Sequence, residues 1–236
     1  MSLATTSILA ARSLSAAGTD WTRLRPKLSD AVVDTLIMVA STMVIAGIAG
    51  LIIGTLLYTT RQGNILQNRA LNGVLNFVVN FIRPIPFIIM AVALGPLMLN
   101  TINTTIGIEA AIFAMVFTAT FAVARIVEQN LVSIDPGVIE AARAMGASKT
   151  KIMFSVMLPE ALGPLILGYT FLVIGVVDMS AMAGYLGAGG LGDFALQEGY
   201  RRFNWEVTAV AVLIIIVMVQ FVQLLGNVLA RKMLRR

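Results

Sequence analysis

Histidine and cysteine are absent from all 236 residues. Imidazole bases, thiol nucleophiles, disulfides and His-ligated haem or zinc are thereby excluded. An enzyme would need an Asp pair or a Ser/Lys pair. Asp178 and Asp193 are the candidates, and neither sits in a paired motif. Gly146-Ala147-Ser148-Lys149-Thr150 superficially resembles a phosphate loop, but it lacks the second Gly beside Lys149 and follows a helical pattern, not a strand. The chain is read as a non-enzyme with no nucleotide site and no bound cofactor of its own. Asp178 lies in an apolar run, where a carboxylate is costly and normally paired or wet. It is read as facing water between the helices or pairing with a basic residue. The alternative is a carboxylate at a helix end that faces outer water or caps the glycine turn after it.

The elements that position such residues must be membrane helices. Only 12% of residues are charged and 58% are hydrophobic, against about 25% charged in a soluble domain. Such a chain cannot cover its own surface with polar groups, so lipid must cover much of it. The fold class is all-α integral membrane, one polytopic domain. The net charge of +5 is read as basic loops held against anionic lipid, with no nucleic-acid partner.

Residues 1–30 are Ser/Thr/Ala-rich with scattered Arg, and Asp20 and Asp30 break the acid-poor pattern of a transit peptide. They are expected to form an interfacial or flexible tail, with no cleavable signal peptide, ahead of a transmembrane domain at 31–236. Five spans are expected. The first, Ala31 to Tyr58, carries the pair Gly50/Gly54, whose spacing lets another helix approach closely. Asn64, Asn68, Asn72, Asn76 and Asn80 recur every fourth residue, a polar stripe expected to make interhelical hydrogen bonds. The second span, 74–99, is expected to break at Pro84 and Pro86. The third runs from Ile106 to Val127. Glu109 suits its N-terminus, and Arg125 and Glu128 are expected to pair locally at the membrane interface. The fourth, through Leu162–Val177, is expected to end at Asp178, before a glycine cluster at Gly184–Gly192. The fifth is Val207–Leu229, followed by the basic tail Arg231, Lys232, Arg235 and Arg236. With the C-terminus in the cytoplasm, the inner side carries ten basic residues and the outer side six, which favours that orientation.

Between the third and fourth spans, residues 134–151 are too polar to cross. Asp135-Pro136 reads as a helix start, Asp as the cap and Pro at the first helical position. Glu140, Ala141, Ala142, Ala144 and Met145 give the helix a small-residue surface that would seat in another protein's groove. Gly146 suggests a bend after it, and Leu158-Pro159 a kinked joint into the fourth span. A plain amphipathic interfacial helix is the other reading of the same residues.

The pattern Glu140-Ala141-Ala142, three residues, Gly146, nine residues, Val156, one residue, Leu158-Pro159 resembles the signature of the permease subunits of bacterial ABC importers, with Val156 where Ile is usual. Arg83-Pro84-Ile85-Pro86-Phe87-Ile88-Ile89, Ser180-Ala181-Met182-Ala183-Gly184 and Gly187-Ala188-Gly189-Gly190-Leu191-Gly192 resemble the methionine-transport permeases. The similarity covers residues 31–236. It implies a small five-helix permease with a cytoplasmic coupling helix between the third and fourth spans, acting as a homodimer in the bacterial inner membrane. It further implies two cytoplasmic ABC ATPase subunits carrying ATP and Mg, an extracytoplasmic substrate-binding lipoprotein, and an N-terminus outside with the C-terminus inside. The ATPase-coupling residues would be Glu140, Ala141, Ala142, Ala144, Met145, Gly146, Leu158 and Pro159. The substrate pathway is expected to include Asp178, Met179, Ser180, Met182 and Tyr185. Asp178 stands where the methionine permeases carry Gly, and the tail is longer than usual. Import of methionine or a related small amino acid by alternating access is the expected function. An autonomous channel or ion-coupled transporter is the alternative, separable by transport without ATP.

Overall fold

Asp20 starts the first helix: its side chain accepts a hydrogen bond from the Arg23 backbone N–H, satisfying one of the donors that a helix start leaves open. The computed structural model describes residues 19–234. From Trp21, helix α1 runs unbroken to Thr59, with Pro26 inside its early turns. The segment expected as a tail is thus helical from Trp21 on; residues 1–18 lie outside the described residues.

Gly50 and Gly54 set the packing of α1. A Cβ on Gly50 would lie 2.4 Å from Val123 Cβ, and one on Gly54 would lie 2.4 Å from the Ala124 carbonyl oxygen. Both neighbours belong to α5 (Ile108–Val132). Alanines 110, 111, 114, 119 and 124 of α5 are buried, so small residues bring the helices together, as expected where lipid supplies no hydrophobic drive.

The second span is broken, as expected, and consists of three helices. α2 (Arg69–Ile82) and α3 (Phe87–Ala93) are bent by 107°. Pro84 and Pro86 lie in the break, where each removes a backbone donor. α4 (Gly95–Ile102) follows, with Pro96 in its first turn, and ends on Asn103 at φ 58°. Among the described residues, four helices are long and apolar enough to cross a membrane, five if the bent α2–α3 pair counts as one span.

α6 (Pro136–Ala144) and the short α7 (Lys149–Ile152) precede a widened π turn at Met153–Met157. α8 (Leu158–Ala183) then passes Asp178 and stops five residues later than expected. The reason is packing: Val176, Val177, Ser180 and Ala183 are buried on either side of that carboxylate. The glycine cluster is folded too. Gly189 and Gly190, at φ 72° and 84°, turn the chain into α9 (Gly190–Phe194), where the Leu191 N–H donates to Thr35 Oγ1 at 2.8 Å. α10 (Trp205–Leu234) closes the bundle.

Three of the four apolar clusters among the described residues follow one another along the bundle, and the fourth joins Leu57, Val79 and Ala124. Leu24 and Ala31 meet Leu191, Phe194, Val207 and Ala211 at one end. Met38, Met90, Met98, Ala114, Met115 and Val176 fill the middle. Tyr58, Val127, Leu131, Ile139, Ile152 and Met157 fill the other end.

Candidate functional site

The short helix α6 is built from local signals. Asp135 Oδ1 accepts from the Gly137 N–H at 2.8 Å, and Pro136 occupies the first turn. Ile139 and Ala142 are buried and pin the helix to the cluster of Val127, Leu131 and Met157. Glu140, Ala141, Ala144 and Gly146 are exposed, and Met145 is 81% exposed. A methionine so bare is a flexible apolar contact offered to something else. Ala142 departs from its expected place on the contact surface, because it is 3% exposed and anchors the helix from beneath. Gly146 takes φ 77°, the left-handed value that ends a helix and that residues with a Cβ adopt at a cost.

The joint to α8 has a specific form. Met153–Met157 form a π turn in which the Leu158 N–H reaches back to the Met153 carbonyl. Pro159 sits in the first turn of α8. Because Pro lacks an N–H, the turn before it must shift its hydrogen-bond register, and a single π turn does this without breaking the rod. Met157 is fully buried and Ile152 nearly so, so α6, α7 and α8 share one core.

The residues expected to line a pathway divide into two sets. Asp178 and Met182 share one face of α8, and Tyr185, in the 3-10 turn Gly184–Leu186 that continues it, follows three residues on. All three are exposed, and Gly175 and Phe171 continue the same face. Ser180 is buried, its hydroxyl donating to the Val177 carbonyl at 2.7 Å, and Met179 packs against the middle cluster. These two support the face from behind. Asp178 neither ends the helix nor caps the glycine turn; Gly184 continues helically from Ala183.

Two polar clusters were not anticipated as such. The asparagine stripe makes the expected interhelical bonds. Asn72 donates across to the Leu57 carbonyl of α1 at 2.8 Å, while Asn76 donates to Asn72 within α2. The guanidinium of Arg125 then donates to Asn76 Oδ1, at 3.3 Å, and to Asn80 Oδ1. Arg125 and Glu128 do pair, and they do so among packed helices: their side chains are 16% and 7% exposed. The carboxamides of α2 supply acceptors that lipid could not, which is why the pair can sit there.

The second cluster is at the other end. Glu198, 8% exposed, is bridged by Arg23, Lys27 and Arg202. The hydrogen bond from Lys27, opposed by burial and aided by the charges of Arg202 and Arg23, holds its carboxyl below the usual glutamate range. Beside it, Thr19 and Trp21 donate to the Glu206 carboxylate, at 2.6 and 2.9 Å. The i, i+4 spacings of Arg23 with Lys27 and of Glu198 with Arg202 were the traces of this clasp in the sequence.

No group of three or more His, Cys, Asp or Glu residues suited to a metal occurs among the described residues.

The sequence profile of the family described as "binding-protein-dependent transport system inner membrane component" matches residues 46–235. The chain is 39% identical over 198 residues to the probable D-methionine transport system permease protein MetI of Vibrio cholerae, covering 84% of this chain and 88% of that relative. It is 40% identical over 174 residues to the methionine import system permease protein MetP of Bacillus subtilis, covering 74% and 78%. A solved structure of inward-facing conformations of the MetNI methionine ABC transporter matches with a TM-score of 0.87 at 36% identity, over 92% of this chain and 99% of that one. The resemblance drawn from residues 140–159 and the three flanking motifs is borne out by these long alignments: the chain belongs to the family of binding-protein-dependent transport system inner membrane components.

Proposed function

We propose that this chain is the membrane-spanning permease subunit of an ATP-driven importer of methionine or a related small amino acid. The observation that carries the proposal is the form of α6: a capped helix anchored by Ile139 and Ala142, bare at Glu140 and Met145, and joined through a π turn to α8. A partner that grips the bare face moves α8 with it, since the two share a core. Two such chains form a homodimer, and a cytoplasmic ATPase subunit docks on α6 of each. ATP and Mg are held by those subunits, and the permease contributes motion and a pathway, not catalysis. Binding and hydrolysis bias the dimer between inward- and outward-facing arrangements. An extracytoplasmic lipoprotein delivers substrate. The N-terminus is outside and the C-terminus is in the cytoplasm, as the basic excess of the inner loops favours.

The exposed face bearing Asp178 and Met182 of α8, with Tyr185 in the turn that follows it, forms the substrate pathway. A carboxylate on a bilayer-facing surface is costly, so this face meets water or a second copy, and Asp178 meets the substrate ammonium. The test is uptake of labelled methionine into proteoliposomes holding the permease, its ATPase and its binding lipoprotein. Accumulation should require ATP and the lipoprotein, and Asp178→Asn should lower it at least about tenfold while ATPase association is unchanged. Accumulation without ATP would replace this reading with an autonomous transporter, and unchanged uptake in Asp178→Asn would remove Asp178 from the pathway.

A further inference from the structure

α1 and α10 pack together at one end and separate toward the other. Leu24 and Ala31 of α1 share a cluster with Val207 and Ala211 of α10. Farther along, both helices lean on α8 from different sides. Tyr169 of α8 lies against Gly47 of α1, and Thr170 lies against Gly226 of α10. Between them opens a groove of about 630 Å³, walled by Val44 and Ile48 on one side and Leu225 and Leu229 on the other, and floored by α8. Its two hydroxyls are internally satisfied. Tyr169 donates to the Gly47 carbonyl and Thr170 to the Ile166 carbonyl, each at 2.7 Å. Nothing is left in the groove to hold water or a polar ligand, so it suits hydrocarbon.

The end of the groove at Leu229 is not apolar. Lys232 lies three residues beyond Leu229 and seven beyond Leu225, on the same helix face, and Arg231 is beside it; both are exposed. An apolar slot between membrane helices with a basic mouth matches an anionic phospholipid, tail in the slot and head group at the cations. We propose that this groove is a binding site for one acyl chain of an anionic phospholipid whose head group lies at Arg231 and Lys232. A helix of a second copy would also fit the apolar walls, but it would leave both cations without a role. In the orientation proposed above, the lipid belongs to the cytoplasmic leaflet; the site itself does not depend on that orientation.

The test uses the full chain in phosphatidylcholine nanodiscs doped with brominated phosphatidylglycerol or brominated phosphatidylcholine. Leu225→Trp places a fluorophore in the α10 wall, and Val44→Trp places a second in the α1 wall in case the first fails to fold. Each is read as the difference from the parent, whose Trp21 and Trp205 begin α1 and α10. Half-quenching should need on the order of tenfold less brominated phosphatidylglycerol than phosphatidylcholine, the scale expected for one or two basic contacts. Adding Arg231→Gln and Lys232→Gln should merge the two curves. Equal quenching by both lipids would reduce the groove to ordinary boundary contact, and no quenching by either would mean that a second copy covers it. A preference that survives both Gln substitutions would overturn the head-group assignment. The readout needs no nucleotide, substrate or ATPase, so it fails or succeeds separately from the transport reading.

Discussion

Arg125 of α5 donates to the side-chain oxygen of Asn80 on α2, across 45 residues of sequence, while its other nitrogen pairs with Glu128 one turn along its own helix. The guanidinium therefore ties the bent second span to the central helix. Arg125→Leu strands Glu128, whose side chain is 7% exposed, and should cost about 3 kcal/mol, the range for breaking a buried pair. Adding Glu128→Leu should recover much of that loss, because no uncompensated charge remains. Asn80→Ala should cost about 1 kcal/mol. Thermal unfolding of the full chain in detergent reads all three, and a double variant no better than the single would remove the stranded-charge account.

Two glycines should respond in opposite directions. Gly54→Ala forces a Cβ toward the Ala124 carbonyl of α5, 2.4 Å away, and the helices must separate or bend. The overpacking cost of about 1–3 kcal/mol outweighs the gain of about 1 kcal/mol from helix propensity. Gly73 of α2 has nothing within 4 Å of its built Cβ, so Gly73→Ala should stabilise by roughly 0.5–1 kcal/mol. Melting temperatures that move the same way in both variants would contradict the packing given for α1 and α5.

Gly146→Asp and Gly146→Asn separate backbone strain from charge at the end of α6. Both place a side chain at φ 77°, where Asp and Asn are among the better-tolerated residues. Expression and melting temperature should therefore change little and alike. Co-purification of the ATPase subunit should be lost in Gly146→Asp and weakened less in Gly146→Asn. Full retention of the ATPase by the Asp variant would remove α6 as the docking element.

The clasp at Glu198 sets a pH dependence. Its carboxyl is held below the ordinary value, first by the Lys27 hydrogen bond and then by the surrounding cations. A group with a depressed folded pKa contributes stability above its unfolded value, about 4.3, and loses it as pH falls through the folded value. The melting temperature of the wild type should hold from neutral pH to about pH 5 and fall below about pH 4.3. Glu198→Gln should start lower at neutral pH and show a shallower acid decline. Parallel curves for the two proteins would mean that Glu198 is not an acid-labile fastening.

Local chemistry in this chain was readable and long-range chemistry was not. Asp135-Pro136 announced α6, and Gly146 its end, because caps act within four residues. Gly50 and Gly54 announced a close contact without naming Val123 and Ala124 as the surfaces met. Pro84 and Pro86 located the break in the second span, but the 107° bend depends on what α2 and α3 pack against. Asp178 misled as a helix end, since one carboxylate in a helix is outweighed by buried neighbours on the opposite face. Arg125–Glu128 was correctly paired, but its burial was not foreseen: helix spacing reveals partners, while burial depends on asparagines 45 and 49 residues away. Glu198 gathers cations from 175 and 171 residues away, a distance over which charge pattern carries no register.

The 39 residues of α1 amount to a rod about 58 Å long, well beyond the hydrocarbon thickness of about 30 Å. The surplus turns carry Arg23 and Lys27, whose side chains are half exposed, into the head-group zone. There the counterion atmosphere competes directly for Glu198. Dissolved salt thus becomes a rheostat on how firmly the leading turns of α1 are moored to the segment entering α10, loosening them in concentrated brine.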